Sequence, residues 1–164
     1  MRSRSRPALE RQRRLVRRAI ARGSFCALAT SSAANRPLVV GVLYAAVEDV
    51  LYISTVGTSV KVRNIRDNDR VALCIPVRRY PVGPPFAVQF QGRGEVLRID
   101  DPEIAGLLRA GRLKRITAHG ELEDPASRIL KVTPGPRVAT YGLGVPLHEL
   151  LRDPTQGSRS VRMA

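Results

Sequence analysis

The sequence predicts a mainly β fold with flanking helices, arranged as an antiparallel barrel. Two observations carry that expectation. Short apolar runs of strand character recur along most of the chain. Short polar turns join them, where parallel βαβ units would need long helical crossovers. Many short strands with few helices suggest closure into a barrel, which removes exposed sheet edges. The 164 residues suit one domain, here expected over residues 7–150. Aromatics make up 4% and Trp is absent, so the core must come from Val, Leu, Ile and Ala.

Met1 to Arg6 alternates Arg with Ser and reads as a disordered basic arm, residues 1–6. Pro7 to Arg22 turns helical, with Leu15, Val16, Ala19 and Ile20 on one face, arginines around the other, and Gly23 as the stop. Phe25–Thr30, Pro37–Ala45 and Leu51–Thr55 read as three strands of a meander. In the second, Val39, Val40, Val42 and Leu43 predict burial on both faces. Thr58 to Arg66 reads as a short helix with Thr58 at its N-cap. Val71–Val77 is a fourth strand, and the Pro- and Gly-rich Arg78–Pro85 a loop. Phe86–Ile99 is a long strand with Gly92 and Gly94 as bulge or bend sites. Asp101 opens another helix, and residues 111–124 fit no element. Arg128–Val132 and Arg137–Leu143 are candidate last strands, and the tail 151–164 reads as mobile from Arg152.

The net charge of +14 is uneven: residues 1–22 hold nine arginines against one acid, Glu10. The bland reading of this helix is a solvated face over a barrel end. The alternative is contact with nucleic acid or anionic lipid through residues 1–22. The segment has no interleaved aromatics, which argues against base stacking. The basic N-terminus lacks an apolar signal core and no run reaches the ~20 residues of a membrane span, so the expectation is a cytoplasmic protein.

Several chemistries lack their residues. Cys26 and Cys74 sit in apolar runs without CxxC spacing and read as reduced, buried thiols, with a cross-strand disulfide as the alternative. His119 and His148 have no second ligand at metal spacing, so no metal site is expected. No nucleophile elbow, P-loop or dinucleotide fingerprint is present. Glu121, Glu123 and Asp124 cluster before Pro125 and read as a solvated loop. No catalytic acid–base pair stands out.

The stretch Leu51–Leu73 is the most informative. A strand runs through a glycine turn into a helix whose start carries Thr58, Ser59 and Lys61. Free N–H groups and the dipole at a helix start favour an anion, hydroxyls add donors, and Lys61 adds charge. That combination suits a phosphate, as it suits an ordinary capped helix with a surface lysine.

CALAT (Cys26–Thr30), RPLVVGVLYA (Arg36–Ala45), LYIST (Leu51–Thr55), TSVKVRNI (Thr58–Ile65), RVALC (Arg70–Cys74) and FQGRGEVL (Phe90–Leu97) come in an order that resembles the pyridoxamine-phosphate-oxidase-like family. Lys131–Leu143 looks like its closing strands. The resemblance covers roughly residues 10–145 and implies a split antiparallel β-barrel, a homodimer, and FMN or the deazaflavin coenzyme F-420 between subunits. Some relatives bind haem instead, for which His119 or His148 would be the axial candidates.

Carried over by position, Thr55, Thr58, Ser59 and Lys61 match the phosphate-holding segment and Asn64 a K-x-x-N amide. Val39, Val40 and Tyr44 lie on the strand that lines the ring. The chain departs from true pyridoxamine phosphate oxidases where Val39 and Tyr44 replace basic residues and Val60-Lys61 replaces Arg-Lys. These departures argue against vitamin B6 oxidation. The implied activity is hydride transfer by an FMN- or F-420-dependent oxidoreductase, FMN first, with the arginine excess favouring the polyanionic deazaflavin tail. The alternative is a non-catalytic split barrel that carries flavin, deazaflavin or haem.

Overall fold

The computed structural model describes residues 6–78, 86–118, 120 and 123–163. Helix α1 (Arg6–Arg22) precedes a three-strand run, β1 (Phe25–Ser31), β2 (Pro37–Leu43) and β3 (Ala45–Val47). β4 (Val50–Val56), α2 (Val60–Asp67), β5 (Arg70–Val77) and β6 (Phe86–Arg98) follow. α3 (Pro102–Arg109), β7 (Ser127–Tyr141), α4 (Leu147–Arg152) and β8 (Ser158–Arg162) complete the order. Among the described residues no helix is long and apolar enough to cross a membrane.

All the strand pairs are antiparallel, in the order β2-β1-β5-β6-β7-β4-β3, with β8 on the far half of β7. The expected last two strands are one: β7 runs for 15 residues and pairs β4 with its first half and β8 with its second. Such length suits a curled sheet, because β6 and β7 shift register between Phe90 and Gly92. A side chain on Gly92 would meet the Thr133 carbonyl oxygen at 2.4 Å, so glycine is what lets the strands approach there. The sheet curls into a split barrel. The expected complete closure is not made by hydrogen bonds: β2 and β3 are the two ends of the strand order, joined through Tyr44.

The barrel interior is filled by one large cluster that includes Leu28, Leu51, Ile53, Ile75, Val88, Leu130 and Val138. A second, smaller cluster joins Tyr52 and Ile129 to Ile104 of α3 and to Leu113 and Ile116. Asp101 caps α3 as expected, its carboxylate accepting from the Glu103 N–H at 2.9 Å. The unassigned stretch after α3 holds a 3-10 turn, Lys114–Ile116, that supplies Ile116 to this cluster.

Helix α1 buries Val16 and Ile20, and also Gln12. Gln12 donates to Thr140 Oγ1 and to the Leu143 carbonyl, each at 3.2 Å, which docks the helix on the far end of β7. At the other end of α1, Gly23 leaves room for Tyr44, whose hydroxyl donates to the Ile20 carbonyl at 2.7 Å.

Three expectations are corrected. β2 carries no buried residue, because it ends the strand order and its alternate side chains face outward; Val39 is 64% exposed. The expected mobile tail is ordered through α4, a 3-10 turn and β8, because β7 extends far enough to offer a free pairing edge. Cys26 is buried, and burial pushes its thiol up to about 12, but Cys74 is only partly so because it faces the opposite side of the sheet. Both thiols are free. Of the arm 1–6 only Arg6 is described, and it opens α1; residues 79–85, His119 and Glu121 also lie outside the described residues.

Candidate functional site at the start of helix α2

β4 leads through Gly57 and Thr58 into α2. The turn is held at both ends, with the Gly57 N–H donating to the Ala126 carbonyl at 2.8 Å and the Ser59 N–H to Val56 at 3.1 Å. These bonds place Thr58 in the exposed turn and make Ser59 the N-cap, one residue later than expected. Ser59 has extended backbone, yet its side chain makes no capping bond. Its hydroxyl instead lies 3.4 Å from Thr55 Oγ1. The Val62 N–H donates to the Ser59 carbonyl at 3.1 Å, which leaves the Val60 and Lys61 N–H groups available to an anion.

Lys61 occupies the second helical position. It is partly buried, and among the described residues it has no ion-pair partner. Burial lowers its pKa. An ammonium held away from water without a counterion gains from an incoming phosphate.

Arg128 was not singled out from the sequence. It pairs with Thr55 across β4 and β7, and its guanidinium donates to the carbonyls of Pro125 at 2.9 Å and Ser127 at 2.7 Å. Its stem packs beside Gly57. The cross-strand register that brings it here carries no local sequence signal.

The remaining candidates lie elsewhere. Asn64 is buried, and its Nδ2 donates to Thr30 Oγ1 at 3.0 Å, tying α2 to β1. Tyr44 is fully buried and offers no surface to a ligand in this arrangement. Val39 and Val40 point to opposite faces of β2, Val39 outward and Val40 against the core.

The residues that could hold a cofactor are thus Thr55, Ser59 and Lys61, with Thr58 and Arg128 at the margin. This set suits a phosphate: hydroxyls, the Val60 and Lys61 N–H groups, and an ammonium with no ion-pair partner among the described residues. Among the described residues no three His, Cys, Asp or Glu side chains group as a metal site. His148 is exposed on α4.

The family model described as pyridoxamine 5'-phosphate oxidase matches residues 13–136. The chain belongs to that family. No curated protein matches it. Among solved structures it resembles a haem-binding protein from Mycobacterium smegmatis, at 15% identity and TM-score 0.71 over 99% of this chain. The chain spans 60% of that protein's length. It also resembles the haem storage protein of Vibrio cholerae, at 14% identity and TM-score 0.65 over 87% of this chain and 98% of that one. A FAD-binding protein from Mesorhizobium loti aligns at 18% identity and TM-score 0.59 over 85% of this chain and 95% of that one. At these identities the likeness shows the split-barrel fold.

Proposed function

We propose that this family member binds a phosphorylated flavin or deazaflavin at the start of α2 and acts as an FMN- or F-420-dependent oxidoreductase. The observation that carries the reading is Lys61, partly buried and without an ion-pair partner among the described residues, two positions after Ser59, whose hydroxyl lies 3.4 Å from that of Thr55. The bound ring would supply the hydride chemistry. The chain's part is to hold the phosphate and orient the ring. Ser59 leaves the helix N–H groups to the phosphate, Lys61 neutralises it, and Arg128 stiffens the turn beneath it.

The reading includes a homodimer. By strand register, Phe25, Ala27 and Ala29 of β1 share the outer sheet face with Val39, Gly41 and Leu43 of β2 and with Ala72 and Cys74 of β5. Phe25 is 48% and Leu43 51% exposed. An apolar face with small residues at its centre favours close approach of a second copy. The ring would lie near that interface, which gives β2 a role that Tyr44 cannot fill.

Titration of FMN, F-420 and riboflavin against wild type, Lys61→Ala and Lys61→Glu tests the site. A charge-assisted hydrogen bond contributes roughly 1.5–3 kcal/mol, about one to two decades in affinity. Both phosphorylated cofactors should weaken at least tenfold, more for Lys61→Glu, while riboflavin stays unchanged. Equal affinities in all three proteins would remove the phosphate pocket. Binding without turnover of the reduced cofactor would favour the carrier alternative, and a Soret band in the purified protein would favour haem.

A further inference from the structure

A cleft of about 920 Å³ opens between α1 and the ends of β5 and β7, within the roughly 300–1,000 Å³ of small-molecule pockets. Arg11, Arg18 and Arg22 border it from α1, at spacings that put them on one helix face, and Arg78 borders it from the end of β5. Leu15 and Leu143 give it apolar lining, and no acidic residue is among the described lining. None of the four guanidiniums has an ion pair or side-chain hydrogen bond among the described residues, whereas Arg13 and Arg17 on the same helix pair with Glu10 and Asp49.

We propose that this cleft is a second ligand site, for a small organic anion with an apolar body and at least two acidic groups. Four guanidiniums around one concavity, none paired among the described residues, repel each other, and an acidic ligand relieves that through bidentate bonds. The apolar lining accounts for the body of the molecule. A nucleic acid backbone would use the charges but not the concavity. The site is separate from the start of α2. Phe25 at one end of β1 lines the cleft, while Thr30 near the other bonds Asn64 of α2. Five residues of strand span about 16 Å.

The test is an amide-resolved NMR titration of the full chain with bis-anilinonaphthalene disulfonate, a dianion with an aromatic body. The Gly23, Ser24, Gly142 and Gly144 amides should shift. Arg18→Gln/Arg22→Gln should bind at least tenfold more weakly, with a thermal melt no lower than wild type because both side chains are exposed and their mutual repulsion is removed. Arg66→Gln, an exposed arginine in the last turn of α2, and Lys61→Ala should bind the dye like wild type. Equal affinity in the double variant, or shifts spread over the whole surface, would overturn the proposal. So would loss of dye binding in Lys61→Ala, which would merge the two sites. A mixed-sequence DNA duplex that shifts the same amides at lower concentration than the dye would overturn it in favour of a nucleic-acid surface.

Discussion

The hydroxyls of Thr55 and Ser59 lie 3.4 Å apart, one on the penultimate residue of β4 and the other at the cap of α2. Neither is used to satisfy the helix it adjoins. A short strand–turn–helix connection thus pairs two hydroxyls just ahead of the first turn of α2, where Lys61 is the second residue, and each component is testable.

Phosphate affinity should depend on pH through Lys61. Its pKa is lowered by burial, so the ammonium is lost at a lower pH than an ordinary lysine near 10.5. FMN affinity should fall as pH rises through that lowered value, while riboflavin affinity and the Lys61→Ala variant stay flat. The stability of the free protein runs the other way. Folded Lys61 holds its proton less tightly than the unfolded chain, so its contribution to stability rises with pH between the lowered value and 10.5. Fluorescence titration and urea unfolding across the alkaline range read both effects.

Asn64→Ala should cost stability rather than affinity. Its bond to Thr30 is buried, and stranding the partner costs roughly 1–3 kcal/mol. Urea unfolding should show that loss, with FMN affinity in the remaining folded protein unchanged. Full stability with weakened FMN binding would make Asn64 a ligand after all.

Val39→Glu should give a monomer. Val39 is 64% exposed at the edge strand, and a charge there opposes burial against a second copy. Sedimentation at micromolar concentration should show a dimer for wild type and a monomer for the variant, with weaker FMN binding. A wild-type monomer that binds FMN tightly would remove the shared-interface reading.

Glu103→Gln should flatten the acid limb of stability. Glu103 accepts from Lys131 Nζ at 2.8 Å and the Tyr52 hydroxyl at 2.6 Å, and these bonds lower its pKa. A lowered carboxylate contributes stability above its unfolded value near 4.5, lost as pH falls through the folded one. The carboxylate is 38% exposed, so the loss should stay below about 1 kcal/mol. Thermal melts between neutral and acid pH compare the two proteins.

Elements with a strong local pattern were legible. The apolar stripe of α1 and the Asp101 cap of α3 rest on patterns within a few residues, and Gly92 was legible because a lone glycine in a strand marks a bulge or close backbone approach, here to Thr133. The placement of Thr55, Ser59 and Lys61 around the start of α2 was legible because strand, turn and helix are contiguous. Arg128 was not, because it reaches Thr55 only through the pairing of β4 with β7.

The sequence by itself determined where most strands and helices form, that they belong to an antiparallel barrel, and that Thr55, Ser59 and Lys61 lie around the start of α2. Only the tertiary structure decided which faces are covered. Val39 and Tyr44 lie on adjoining segments of similar apolar character, yet one is 64% exposed and the other fully buried. The difference comes from distant partners: α1 packs over Tyr44, while β2 ends the strand order and leaves Val39 facing outward. Gln12 and β8 make the same point, because their partners on β7 are remote in sequence. Periodicity sets the alternation of side chains, but the element that packs against each face is chosen by the fold.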